Sequence, residues 1–363
     1  ITVEITESEE MTISETHSDY TGFGVSCNGA TDGSIDVTVS GGTGNYTYAW
    51  SNGETTEDLE NIGVGIYTVT ASDENGCSVD ITVEITEPEG MELTETHSDY
   101  NGFGVSCNGA TDGSIDVTVS GGAGNYSYSW ANGEETEDLS DVGAGTYTLT
   151  VTDDNGCQQD ITVEITESEE MTISETHSDY TGFGVSCNGA TDGSIDVTVA
   201  GGTGNYTYAW SNGETTEDLE NIGAGTYEVI ATDENGCSID ITVEITESEE
   251  MTISETHSDY TGFGVSCNGA TDGSIDVTVA GGTGNYTYAW SNGETTEDLE
   301  NIGAGTYEVI ATDENGCSID ITVEITEPEG MELTETHSDY NGFGVSCNGA
   351  TDGSIDVTVS GGA

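Results

Sequence analysis

Apolar and polar residues alternate along most of this chain. Between Gly33 and Ser40, Ile35, Val37 and Val39 take one face while Asp36 and Thr38 take the other, the period of two expected of a half-buried strand. Tyr46, Tyr48 and Trp50 alternate likewise, as do Tyr67 and Val69. Ile81, Val83 and Ile85 oppose Thr82, Glu84 and Thr86. Met11 and Ile13 mark a first strand, and the stretch from Glu54 to Ile62 holds one or two short ones. Asn52-Gly53 and Asn75-Gly76 are hairpin-type turn signals, with further turns at Gly41-Gly42 and Gly63–Gly65. No helical period of useful length intervenes. The pattern predicts an all-β fold, a β-sandwich of short strands with Trp50 and Tyr67 in its core. Tyr20 and Phe23 are candidate surface aromatics, and Tyr46 and Tyr48 are also open to a surface role.

The whole strand pattern recurs every 80 residues. Blocks 171–250 and 251–330 differ only where Ser248 becomes Pro328 and Glu250 becomes Gly330. Near-identical copies are the mark of a quasi-one-dimensional array in which copy number sets reach. The expected organisation is the end of a preceding repeat at 1–10, four full repeats at 11–90, 91–170, 171–250 and 251–330, and a truncated repeat at 331–363. The chain thus reads as a window cut from a longer array. Enzymes rarely need one site several times in a row.

Charge narrows the partners. There are 71 Asp and Glu and neither Lys nor Arg. Nucleic acid is excluded, because its binding rests on cationic side chains at phosphates, and anionic membrane surfaces are excluded for the same reason. No run of 18 apolar residues offers a membrane span. Self-repulsion favours an extended, soluble array, and cations such as Ca²⁺ are its natural compensators. Asp73 and Asn75 in one turn, Asp19 and Asp32 around a Gly-rich loop, and Glu87 and Glu89 at the junction are the candidate Ca²⁺ ligands, since that ion takes six to eight oxygens from such loops. The ordinary turn-forming role of Asp and Asn stands beside this reading, and no cofactor is required.

Each full block holds two cysteines, 50 positions apart: Cys27 and Cys77, Cys107 and Cys157, Cys187 and Cys237, Cys267 and Cys317. Small extracellular domains use such pairs to supplement thin cores, so a disulfide within each block is expected. Buried free thiols are the alternative, and zinc is disfavoured by the absence of CxxC. Bridging needs Cα atoms within about 7 Å, and whether one strand or two lie between Trp50 and Tyr67 decides whether Cys27 and Cys77 reach the same pole. Cys347 is the odd ninth.

The run from Val25 to Cys77 resembles the SprB repeat. The resemblance rests on the CNG start, the DGS turn, the GG-x-G-x-Y-x-Y-x-W strand, the G-x-Y-T-V strand and the D-x-NGC finish. That family occurs in very large surface proteins of Bacteroidota, including the adhesin of gliding motility, exported by the type IX secretion system. The resemblance implies Ig-like extracellular modules. The lack of Lys and Arg is a departure from ordinary composition, and Met11–Gly24 is a longer lead-in than the motif needs.

Catalysis is not expected. His17-Ser18-Asp19 holds triad residue types, but neighbours on a strand point to opposite faces, and a triad needs convergence rather than adjacency. Gly41-Gly42-Thr43-Gly44 lacks the Lys and the helix of a phosphate cradle. Asn45, Asn125, Asn205 and Asn285 fit the N-glycosylation pattern, which has many chance matches. No Gly/Ser-rich spacer separates blocks, so the junctions should restrict bending. ESEE precedes MTIS with Thr at 21, 181 and 261, whereas EPEG precedes MELT with Asn at 101 and 341. Duplication of whole units explains this more simply than contact across the junction. The expectation is a stiff, acidic, disulfide-stapled stalk of a cell-surface adhesin. The alternatives are a self-assembling cation-bridged fibre, and multivalent repeats that bind glycan or Ca²⁺.

Overall fold

A computed structural model describes residues 2–362. The described residues are all strand, turn and loop, with no helix. In the first block β1 (Thr12–His17), β2 (Gly33–Ser40) and β4 (Leu59–Ile62) form one sheet; β3 (Thr47–Trp50), β5 (Gly65–Ser72) and β6 (Ser78–Ile85) form the other. All pairs are antiparallel, with Ile13 opposite Val39, Trp50 opposite Val69 and Tyr67 opposite Val83. The second block has the same two three-stranded sheets, and so does the fourth.

Alternation decides what is buried. Val25, Ile35, Val37, Trp50, Leu59, Ile62, Val69, Val83 and Ile85 make one core between the sheets, an Ig-like sandwich. Equivalent cores recur around Trp130, Trp210 and Trp290. The Trp50 indole N–H, buried with its ring, donates to the Thr56 carbonyl at 2.9 Å. Tyr67 is half-buried against the core, and its hydroxyl donates to Gly63 O at 3.0 Å. Tyr46 and Tyr48 are half-buried too; their hydroxyls donate to Gly41 O and to Glu57 Oε1.

A single strand, β4, occupies the stretch from Glu54 to Ile62. Its buried residues are Leu59 and Ile62, three apart, because Asn61 takes φ +56° and the β2–β4 register shifts beside it. That bulge breaks the period of two and hides the strand in the sequence.

The described residues divide into two compact units. One comprises Ile1–Met171 with Gly201–Asn205 and Thr232–Cys237; the other comprises Thr172–Ala200, Tyr206–Ala231 and Ser238–Ala363. Two short loops of the third block therefore group with the second block. Residues 2–10 are exposed. In the last stretch Glu332–His337 pairs with Ile355–Ser360, and Ile355, Val357 and Val359 are 76, 53 and 53 % exposed where their first-block counterparts are buried or half-buried.

Candidate functional site

The chemistry of the repeat concentrates where one block meets the next. Two loops make the contact. The first, a cradle, is the long connection from β1 to β2, residues 18–32. Tyr20 and Phe23 exchange backbone hydrogen bonds, Ser26 N donates to Asp32 Oδ1, and Gly22 N donates to Asp19 Oδ1. Hydrogen bonds from Ser26, its side chain first and then its backbone, hold the Asp32 carboxyl below the usual range. Gly24 N and Val25 N donate to Thr86 O, Asn28 Nδ2 to Pro88 O, and Gly29 N to Glu87 Oε2. These bonds fix the cradle to the end of β6, where the chain leaves the block.

The second loop, a finger, is the turn before the last strand of the following block, Asp153 to Cys157. Asp153 Oδ1 accepts from Asn155 N and Cys157 N, and its Oδ2 accepts from Ala123 N. Asp154 N donates to Ala123 O. The loop around Ala123 is held in turn to the link that leads into the block's first strand, Glu92–His97, since Gly122 N donates to Glu89 O at 2.8 Å. Gly121 has φ +77°, and a Cβ there would lie 2.1 Å from Gly90 O, so only glycine allows this approach. The finger is thereby placed at the entry end of its block, facing the exit end of the block before.

Finger and cradle meet through one asparagine and one disulfide. Asn155 Nδ2 donates to Tyr20 O and Ser26 O at 3.2 and 2.9 Å, and its Oδ1 accepts from Thr21 Oγ1 at 2.9 Å. Asn235 bonds to Tyr100 O, Ser106 O and Asn101 Nδ2 in the same way. Asn315 does so with Tyr180 O, Ser186 O and Thr181 Oγ1. Thr and Asn at this cradle position are thus interchangeable donors to one acceptor. The finger Asn does not vary among these contacts, so the Thr/Asn alternation needs no compensating change across the boundary.

The disulfides correct the expected pairing. They join Cys27 to Cys157, Cys107 to Cys237 and Cys187 to Cys317, with Cα–Cα distances of 5.8, 5.7 and 5.7 Å. Each links the first cysteine of one block to the second of the next. Cys27 does not pair with Cys77, and Cys267 does not pair with Cys317; Cys77, Cys267 and Cys347 are free thiols. The reason is the length of β6. Cys77 stands just before its start and Cys27 beside its end, so eight extended residues, roughly 26 Å, separate two sulfurs that would need Cα atoms within about 7 Å. The third block's finger and the loop beside it group with the second block because this contact holds them there.

The candidate Ca²⁺ ligands do not converge as a set. Asp19, Asp32, Asp73 and Glu87 each accept backbone N–H groups, Asn75 donates to Thr43 Oγ1, and the Glu89 side chain is exposed. Among the described residues no three of His, Cys, Asp and Glu group as a metal site. Tyr20 and Phe23 are half-buried, and the Tyr20 carbonyl accepts from Asn155 of the next block.

The carboxyls of Asp233 and Asp313 are nearly inaccessible, which alone would raise their pKa. Hydrogen bonds from Thr203 N, Cys237 N and Asn235 N, and from Thr283 N, Cys317 N and Asn315 N, outweigh that and hold both below the usual range. A depressed carboxylate contributes stability that is present above its unfolded pKa and lost as pH falls through the folded one. Finger docking should therefore be constant from neutral pH down to about pH 4 and weaken below it. Amide exchange at Asn235 and Cys237 across that range checks this. Protection that changed between pH 8 and 5 would contradict it.

Removal of the finger amide should also be measurable. Asn155→Ala strands the Ser26 carbonyl, leaves Tyr20 O with only the Phe23 N–H, and should cost the boundary about 1–3 kcal/mol. Asn75→Ala, at an exposed position whose amide meets only its own block, should stay within about 0.5 kcal/mol. Chemical denaturation of both variants makes the comparison, and equal effects would remove the finger from the energetics.

No curated protein matched the chain. Solved structures similar to it include the N-terminal eight Ig domains of Down syndrome cell adhesion molecule isoform 1.30.30, at 9 % identity and TM-score 0.27 over 90 % of this chain and 61 % of that one. A Ca²⁺-stabilised adhesin that helps an Antarctic bacterium bind ice is similar at 18 % identity and TM-score 0.32, over 82 % of this chain and 94 % of that one. The protocadherin GammaB4 extracellular domain gives 11 % and 0.28 over 81 % and 62 %. At these values the likeness carries no argument about function. The family model described as the SprB repeat matches residues 25–55, 105–135, 185–215, 265–295 and 345–363, which include every cradle cysteine and stop before every finger. The SprB repeat model thus matches once in each successive block, over the first part of the repeated module.

Proposed function

We propose that this chain is the extracellular repeat region of a cell-surface adhesin, an acidic stalk whose copy number sets its reach. The observation that carries this reading is the boundary itself: the same asparagine and the same disulfide recur at three successive contacts. Such a contact fixes neighbours to one another, whereas a flexible tether would leave them free. Disulfides favour an oxidising, extracellular setting, and the resemblance to the SprB repeat supports export by type IX secretion. The units of the stalk are the blocks 11–90, 91–170, 171–250 and 251–330. Its partners are its own neighbouring repeats.

The boundary needs no Ca²⁺ in this reading, because the carboxylates of Asp32, Glu87 and Asp153 are occupied by backbone N–H groups. Proteins of two, three and four blocks should lengthen by one constant increment in electron micrographs, as single threads one block wide, with and without a chelator. Variable bend angles at the boundaries would overturn the stiff stalk. Thick bundles that fall apart on chelation would replace it with a cation-bridged fibre.

A further inference from the structure

Crossing every boundary with a disulfide changes the covalent topology of the whole array. Each bridge spans 130 residues while the blocks repeat every 80, so successive bridges overlap. Cys27–Cys157 overlaps Cys107–Cys237, which overlaps Cys187–Cys317. Every peptide bond from Cys27 to Cys317 therefore lies inside at least one closed disulfide loop. Disulfides within blocks would leave each junction as a single unprotected strand of backbone.

We infer that the array is a covalent ladder that stays one molecule after any single backbone break in this span, and that it carries tension along a short path. That path enters through Cys27, crosses to Cys157, follows the chain for 30 residues to Cys187 and crosses again to Cys317. Residues 28–156 and 188–316 lie off it, so their unfolding adds nothing to the stretched length. Cys107–Cys237 belongs to a second path of the same kind, offset by one block. Two blocks contain 160 residues, so the fully stretched contour per pair of blocks is about fivefold shorter with the bridges closed than with them reduced.

The junction is where this matters. Glu89 is exposed in a link without secondary structure and Glu169 is exposed at the first residue of the strand Glu169–His177, and exposed inter-block positions are the places a protease reaches first. A stalk that survives cleavage there keeps its tip attached to its base.

The chain's lack of Lys and Arg makes the test clean. Glu89→Lys creates a single tryptic site in the first junction, and Glu169→Lys creates one in the second. Each full-length variant is oxidised, its free thiols are blocked, and it is unfolded in urea so that trypsin reaches the site. Without reductant each should run as one species of full mass. With reductant each should split, at residue 89 in one variant and at 169 in the other. Separation without reductant in both variants overturns the ladder. Pulling the oxidised and reduced wild-type chain end to end gives a second reading, and equal contour lengths would overturn the bypass path.

Discussion

Replacing Cys107 with serine should cost the boundary between the second and third blocks about 4–5 kcal/mol under oxidising conditions. The bridge to Cys237 closes a loop of 130 residues, and in the chain-entropy model the gain grows with the logarithm of that length, slightly above the about 4 kcal/mol expected of a bridge closed within one block. What remains at the boundary is the Asn235 amide with its bonds to Tyr100, Ser106 and Asn101, each worth about 1 kcal/mol net. Equilibrium denaturation of wild type, Cys107→Ser and the Cys107→Ser/Cys237→Ser pair measures the loss, and the two variants should agree. Alkylation gives a sharper reading. The wild type should label at Cys77, Cys267 and Cys347, and the single variant should add Cys237. A new label at Cys157 would mean that bridges close within blocks.

The sandwich was legible because its signal is local. Ile35 and Val37, and Val83 and Ile85, are two apart along their strands, and their burial follows from that spacing alone. Val25 is wholly buried without belonging to any alternating run. It lies in the irregular cradle, where the backbone is turned inward by bonds to Thr86, and no periodicity announces that. Leu59 and Ile62 were obscured by the bulge at Asn61. The disulfide pairing was the least legible feature, since cysteine spacing is the same whether bridges close within blocks or between them. The signal that distinguishes the two is topological. Once Cys77 is placed before β6 and Cys27 is placed beside the exit of that strand, the two lie at opposite poles. The Gly41-Gly42 turn was visible in the sequence, but its role in seating the finger against the link between blocks appears only when Gly122 N, in the equivalent turn of the second block, is seen to reach Glu89 O. The acidic residues are ambiguous in the sequence, because carboxylates that tie turns to backbone N–H groups look the same there as carboxylates that await a cation.

Trp130→Ala should unfold the second block without releasing it. The indole is 3 % exposed, sits opposite Leu149 and packs among Val105, Ile115, Val117 and Leu139. Its removal leaves a cavity that two short sheets cannot close, and it frees the Thr136 carbonyl that accepted the indole N–H at 2.9 Å. Loss of a buried Trp costs about 3–5 kcal/mol, most of what a small domain has to spare. In a linear array each block depends on itself and its nearest neighbours, so calorimetry should show one early transition below that of the other blocks. The bridges determine how the unfolded block behaves under tension. Cys107 and Cys157 lie in the altered block, and their partners Cys237 and Cys27 lie in the blocks on either side. The unfolded segment is therefore held at both flanks, and the first block remains joined to the third by way of Cys27, Cys157 and the chain beyond. Under load the variant should stretch no further than wild type until reductant is added, and then lengthen at lower force. Early lengthening of the oxidised variant by the full contour of a block would show that the bridges do not carry the load.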